Sequence, residues 1–523
     1  MSSIGIDFGT TNSLIVAYNK AKNEFSYFNF SKDLYDRKNR RRIPVPTSST
    51  VWYHDNIVEV GKNARDNINK FGDVEGHHFE RSIKLKLGTP QHLNIFGRST
   101  APYEVAGTIL STLKQNAIVE HQAEKTGADL SRAVFTIPIN FSGNARRDLR
   151  KAANEAGIEV TTFIHEPFAA IVGYLFSKYE SETTKEVLRR LADLDGRYLL
   201  TFDWGGGTLD ITVVRVHNGK MVELGTAELT DVAGDKFDED IARYAWNQFV
   251  DQYGSKYNPD FLEKQRRKKW DRMLAIAERC KLELSSRSSS DFIFYDVIGD
   301  NEDIDFTITR QDFEMLIYGA LDLACNRIDD ALRQAGIQDI DINHVLLTGG
   351  TCNIPAVKDR LIEKFGQRVA EVKNADLAIA QGAAVIAEMG WLPFLTKDIQ
   401  IALSDGSFWP IFEHDTPIAV HKSAHNSEEF CCVDSRNKRA KVIVCEGLGQ
   451  VRDKNLAVLN IPVPGYYDYG DEIVVEAELD RNIVLSVRGH SKLAVSNGRS
   501  IRKTAEITQL CFGLDFHGGN HGK

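Results

Sequence analysis

The 523-residue sequence has no uninterrupted apolar run near the ~20 residues that a membrane-spanning helix needs, so no membrane partner is expected. Cysteine is scarce. There are seven, an odd number with no repeated CxxC spacing, which argues against a disulfide framework and fits free thiols in a reducing compartment. The neighbouring Cys431 and Cys432 read as two strand residues. Basic charge is not in excess either. Lys and Arg total 64 against 73 Asp and Glu, a net charge of −9, which disfavours a dedicated nucleic-acid binder. No apolar leader precedes the first strand pattern at Ile4, and together with reduced thiols this points to the cytoplasm. The remainder, 42% apolar and 26% charged, describes a globular chain long enough for about two to four domains.

What the chain does have is glycine between strands. Phe202-Asp203-Trp204-Gly205-Gly206-Gly207-Thr208-Leu209-Asp210 lies between apolar runs at 198–201 and 211–216, which reads as strand, tight turn, strand. Successive glycines let backbone N–H groups converge with no Cβ in the way. Such a concavity suits phosphate. Asp203 and Asp210 bracket the turn, as a hard cation such as Mg2+ would require. Alone, the stretch reads equally as an ordinary hairpin. A second copy stands at Ile4-Gly5-Ile6-Asp7-Phe8-Gly9-Thr10-Thr11-Asn12-Ser13. Two such hairpins, one per half of a long domain, suggest a duplicated fold closing on a nucleotide from both sides. A third glycine pair, Gly349-Gly350, follows the buried-strand pattern 345–348.

The same stretches occur in order with TIPINFSGNARRDLRKAANEAGI at 136–158, HEPFAAI at 165–171, GDKFDEDI at 234–241, ERCKLELS at 278–285, LLTGGTCNIP at 346–355 and ADLAIAQGAAV at 375–385. The ordered set resembles the heat shock protein 70 (DnaK-type) chaperones, within the actin and sugar-kinase ATPase fold. The resemblance implies an α/β, actin-like (ribonuclease H-like) two-lobed ATPase domain over 1–390 and a linker over 391–397. A β-sandwich substrate-binding domain over 398–512 and a flexible tail over 513–523 would follow. It implies ATP/ADP and Mg2+ as ligands. Asp7 and Asp203 would organise the metal and the attacking water, with Glu166 and Asp210 completing the metal's outer shell. Lys84, four positions before Gly88, would hold the water and the γ-phosphate. Gly9, Thr10, Thr11, Asn12, Gly205, Gly206, Gly207 and Thr208 would clamp the phosphates, and Gly234 and Asp235 would approach the nucleotide. Glu278, Lys281, Gly349, Gly350, Thr351, Asn353 and Asp376 would surround the nucleoside.

Chemistry supports Lys84 beside the resemblance: phosphoryl transfer to water needs a cation near the γ-phosphate and something to hold the water. Without the resemblance, Lys84 is one lysine beside Lys86. Glu166 also reads as a helix start, with Pro167 in the first turn where its missing N–H costs nothing. Helical periods cover 103–128, 144–157, 177–196 and 258–286, and Ser142 is placed to cap the second. The basic run Arg37–Arg42 reads as a solvated loop.

The sequence departs from the family's pattern in several places. Leu282 and Asn353 stand where arginines commonly sandwich the adenine. A cation–π stack contributes roughly 0.5–2 kcal/mol, so losing two weakens nucleotide binding on the order of 10- to 100-fold. His165 replaces the usual Asn before Glu166. In Trp391-Leu392-Pro393-Phe394-Leu395-Thr396-Lys397, Pro, Thr and Lys interrupt the family's acidic, leucine-rich linker.

From 398 the pattern turns to short strands: 399–401, Phe408–Phe412, 441–445, Glu472–Leu479 and 483–487, with Asn497-Gly498 as a tight turn. That reads as a β-sandwich. It would take an extended or unfolded polypeptide by main-chain hydrogen bonds and side-chain pockets. The family's helical lid has no counterpart in the sequence, so fast peptide release is expected. J-domain cochaperones and nucleotide exchange factors are the further partners implied. Two other classes stay open: a nucleotide-gated scaffold, and a small-molecule kinase on the same fold.

Overall fold

A computed structural model describes residues 2–28, 30–36, 41–119, 127–298, 302–370, 375–418, 423–432, 438–463, 472–496 and 501–517. Its organising feature is one strand pattern used twice. In the first sheet, Glu159–His165, Ala128–Ile137 and Ser2–Phe8 run parallel, and Asn12–Asn19 and Glu24–Tyr27 continue antiparallel. In the second, Val369–Ala370, Ile342–Thr348 and Tyr198–Trp204 run parallel, and Thr208–His217 and Lys220–Thr230 continue antiparallel. Each central strand therefore turns back through a short glycine-containing loop, at the same point of each sheet.

The halves meet through two helices, Glu166–Lys178 and Ala375–Met389. Their backbones approach so closely that a Cβ on Gly173 would sit 1.8 Å from Ala378 O, and one on Gly382 1.8 Å from Ala169 O. Only glycine fits at either place, so the two sequences fix this crossing. Apolar side chains of both helices, Phe168, Ile171, Ala380 and Ile386 among them, fill the core between the sheets. Helix starts follow their caps. Ser142 accepts from Ala145 N ahead of Gly143–Glu155, and Thr309 with Asp312 forms a reciprocal capping box ahead of Arg310–Ala335.

The chain from Asp398 builds two four-stranded sheets. One is ordered Phe408–Phe412, Asp398–Ala402, Arg439–Leu448, Val451–Pro462, and the other Ala424–Cys431, Glu472–Leu479, Leu485–Ser491, Lys503–Ile507. Ile401, Val444, Leu459, Val475 and Val487 fill the space between, and this core is continuous with that of the first lobe. Arg146 secures the joint. Its buried guanidinium donates to the carbonyls of Phe141, Asn482, Ile483 and Thr508.

Three expectations are corrected. Of the helical period expected over 103–128, Pro102–Val119 is a helix, residues 120–126 lie outside the described residues, and Ala128 opens a strand instead of ending a helix. Arg41 and Arg42, expected in a loop, lie in the strand Arg41–Pro44, paired with Phe30–Asp36; residues 37–40 lie outside the described residues. Most consequentially, the segment expected as a flexible tail from 513 opens inside a strand, Phe512–Asp515, which leaves the sandwich and joins the second sheet of the duplicated pattern. It pairs with Lys220 and Met221 on one side and, on the other, with the strand Leu392–Leu395, which lies in the stretch expected as a linker. Phe512 and Leu514 are buried, and that burial outweighs the flexibility expected of a glycine-containing end. The tight turn at Asn497-Gly498 and residues 518–523 lie outside the described residues.

The linker strand is bonded along both edges. Beyond its pairing to Phe512–Asp515, Leu395 N donates to Thr416 O at 2.9 Å, and Ile418 N donates to Pro393 O at 2.8 Å. Phe394 and Leu395 are buried despite the interrupting Pro393, which has no N–H but keeps its acceptor.

Candidate active site

A cavity of about 480 Å3 opens between the two lobes, where the glycine hairpins face each other. The first hairpin ends its strands with Asp7 opposite Leu14, and Gly9 N donates to Ser13 Oγ across the turn. In the second, Asp203 lies opposite Asp210, and Gly205 N donates to Thr208 O. The turns nearly touch: a Cβ on Gly206 would stand 2.2 Å from Thr11 Oγ1. The third glycine pair closes the ring. Gly349 has φ 81°, and a Cβ there would meet Trp204 O at 2.4 Å and Asp203 Oδ1 at 2.6 Å. Thr351 Oγ1 donates to Gly205 O at 2.7 Å. The three glycine turns thus form one anion-sized cradle.

Charged side chains converge beneath it. Lys84, on the short 3-10 turn Ile83–Lys86, donates to Glu166 Oε1 at 2.8 Å, with both side chains buried. Thr136 Oγ1 donates to Asp7 Oδ1 at 3.2 Å, and Thr208 Oγ1 to Asp210 Oδ2 at 2.8 Å. Burial pushes the Asp7 carboxyl up to about 6, against the pull of Lys84. Burial, then Glu166, pushes Asp210 up to about 7, and burial with Glu166, Asp210 and Asp7 holds Asp203 well above its ordinary range. Burial works against the Lys84 ammonium, but Glu166, Asp7 and Asp203 more than offset it, so its pKa is raised. The site concentrates negative charge that one lysine does not balance.

That donor set suits a hard divalent cation. Among the described residues no three Asp, Glu, His or Cys side chains lie close enough to grip an ion directly. The carboxylates fit an ion that keeps much of its water, as Mg2+ does.

The far end of the cavity is built by the helix Pro259–Leu284. Lys281 Nζ donates to Gly234 O at 2.8 Å and to Asp238 Oδ2 at 2.9 Å, which holds the first turn of the helix Gly234–Tyr253. Glu278 is gripped by Arg65 of the opposite lobe, Nε to Oε2 at 3.2 Å and the terminal nitrogen to Oε1 at 2.9 Å. Leu282 and Asn353 line the same end.

Most residues anticipated from sequence line this one cavity: Asp7, Gly9, Thr10, Thr11, Asn12, Lys84, Glu166, Asp203, Gly205, Gly206, Thr208, Asp210, Gly234, Glu278, Lys281, Gly349, Gly350, Thr351 and Asn353. Two do not line it. Gly207 packs under Leu85, and the Asp235 side chain accepts from Ser82 Oγ at 2.6 Å, so that its backbone N, bonded to Gly206 O, serves the turn. The side chain of Asp376 lies outside the described residues. Sequence reasoning missed Arg65 and Ser285. No local signal marks Arg65, whose partner is 213 positions away. Ser285 stands four residues after Lys281, so helical spacing could have found it.

The family model described as Hsp70 protein matches residues 3–508. The chain is 28% identical over 432 residues to the chaperone protein DnaK of Mycoplasmopsis pulmonis, covering 80% of this chain and 65% of that one. It is 27% identical over 469 residues to the chaperone protein DnaK of Thermotoga neapolitana, covering 87% and 72% respectively. The Thermotoga maritima chaperone protein DnaK matches to the same extent. The match thus spans about two thirds of the relatives' own length. With a family match over nearly all of its residues, the chain belongs to the Hsp70 family, with two actin-like ATPase lobes followed by a β-sandwich.

Proposed function

We propose that this Hsp70-family chain hydrolyses ATP slowly to control how its β-sandwich holds extended or unfolded polypeptide. The observation that carries the reading is Lys84, buried in a ring of four carboxylates at the foot of a cradle made by facing glycine hairpins. The Gly9–Asn12 and Gly205–Thr208 turns hold the phosphates by backbone N–H groups. Asp7, Asp203, Asp210 and Glu166 would hold Mg2+ through its water. When bound, the metal neutralises charge on the phosphates. Lys84 supplies a donor and positive charge where negative charge develops, and Asp7 and Asp203 orient the water that attacks. Lys281, Glu278 and the Gly349–Asn353 turn enclose the nucleoside. The ATPase domain extends to about Gly390, and J-domain cochaperones and exchange factors are the partner classes that go with this function.

Phosphate release by the purified chain, with Mg2+ and with EDTA, tests the reading. Slow Mg2+-dependent release supports it; none at saturating ATP overturns it.

One observation favours a second reading, a nucleotide-gated scaffold. The linker strand is bonded on both edges, which would hold the sandwich in place whatever nucleotide is bound. ATP-dependent light scattering that rises with protein concentration would favour it.

A further inference from the structure

The strand Phe512–Asp515 does more than seal a sheet. Gly513 is squeezed between Met221 O and the Phe394 ring, where a Cβ would approach both within 2.7 Å. Thr396 N donates to Cys511 O, and Phe516 N to Gly219 O, so the strand is pinned at both ends. Its first residue reaches the ATPase centre. The Phe512 ring lies 3.7 Å, centre to centre, from the imidazole of His165. Both side chains are almost fully buried. His165 Nδ1 lies 2.5 Å from Glu223 Oε1 of the second lobe, and among the described residues its Nε2 has no hydrogen-bond partner. Ring contacts with Phe512 and Phe168 and one hydrogen bond to Glu223 therefore hold the imidazole.

His165 is the last residue of Glu159–His165, paired to Ile137, and Glu166 is the first of the next helix. No residue separates the ring held by Phe512 from the carboxylate that pairs with Lys84. A shift of the imidazole would act on the backbone of the strand–helix junction that carries Glu166. Three parts of the molecule meet at His165: the first lobe through its own strand, the second through Glu223, and the segment after the sandwich through Phe512.

From this joint we infer that Phe512 is a positioning residue for hydrolysis, holding Glu166 in register with Lys84 through His165 and Glu223. The inference rests on the ATPase reading above and adds a structural input to it. Seating of the strand on the linker sets the geometry of the carboxylate that pairs with Lys84.

The test compares steady-state ATP hydrolysis by the full chain, Phe512→Ala, Phe512→Leu, Glu223→Gln and Lys84→Ala, with thermal unfolding of each. Loss of an outer partner of this kind costs about tenfold. The expected result is a kcat about tenfold lower in Phe512→Ala and Glu223→Gln with KM within about twofold, because the phosphate turns are untouched. Phe512→Leu, which refills the space, returns kcat to within about threefold. If Phe512→Ala does not fold, Glu223→Gln decides, since it keeps the volume and removes the charge. A kcat unchanged in both variants, or a KM that rises in step with the fall in kcat, overturns the inference while leaving the ATPase reading intact. No turnover in the wild type, or equal turnover in Lys84→Ala, overturns the ATPase reading and the inference with it.

Discussion

Lys84 Nζ lies 2.8 Å from Glu166 Oε1, and the two side chains line the cavity between the lobes from separate parts of the first lobe. Glu166 helps to keep the lysine charged in a site that solvent barely reaches. Removing the lysine takes away the donor best placed to stabilise charge developing on a phosphate. In Lys84→Ala, turnover is expected to fall by at least about 100-fold, with ATP affinity changed less than about tenfold, because the glycine turns still grip the phosphates. Single-turnover kinetics beside calorimetry separate the two quantities.

The raised carboxyls give the site a pH dependence. Asp210, pushed by burial up to about 7, and Asp7, up to about 6, both lie above their ordinary value of 3.8. Their contribution to the stability of the metal-free chain is therefore full below that value and lost as pH rises through about 6 to 7. Mg2+ takes the ionised form. The rise in melting temperature produced by Mg2+ and ATP is expected to grow between about pH 5.5 and pH 8, with Asp210→Asn flattening that growth. A stabilisation independent of pH in the wild type would contradict the assignment of Asp210 to the metal's shell.

Leu282 is half exposed at the nucleoside end of the cavity, and Asn353 faces the same space. Neither stacks a cation on a base. Leu282→Arg with Asn353→Arg is expected to tighten ATP binding by about 10-fold or more. Calorimetry checks it, and low-nanomolar affinity in the wild type would refute the premise.

Arg146 ties the sandwich to the first lobe through the carbonyls of Asn482, Ile483 and Thr508. Burial lowers its pKa to about 10, which leaves it charged at neutral pH. Arg146→Ala strands those acceptors, at about 1–3 kcal/mol for each one left unsatisfied. The sandwich is expected to loosen from the lobe, with faster proteolysis between Asp480 and Val484. Unchanged cleavage there would show that the apolar contact alone holds the joint.

Some of this was legible in the chain and some was not, for physical reasons. Asp7-Phe8-Gly9 and Asp203 to Gly207 carry their meaning locally: a strand ends in a carboxylate and glycines free the next amides. Both turns lie where that pattern puts them. The Ser142 cap and the Glu166-Pro167 helix start were equally local. Arg65 with Glu278, and His165 with Glu223 and Phe512, depend on residues brought together only by folding, and no spacing announces them. Phe512–Asp515 was missed because four residues give too short a run for alternation to register, and the glycines and histidines after it suggest a loose end. Its strand character comes from the Met221 edge and the linker it joins.

The central claim is that this cleft hydrolyses ATP and that hydrolysis is linked to what the sandwich holds. Steady-state ATP hydrolysis by the purified chain, with and without an extended hydrophobic peptide and beside Lys84→Ala, tests it most directly. The account predicts slow turnover, raised by the peptide and lost in the variant. Turnover that survives in Lys84→Ala, or that ignores the peptide altogether, would contradict it.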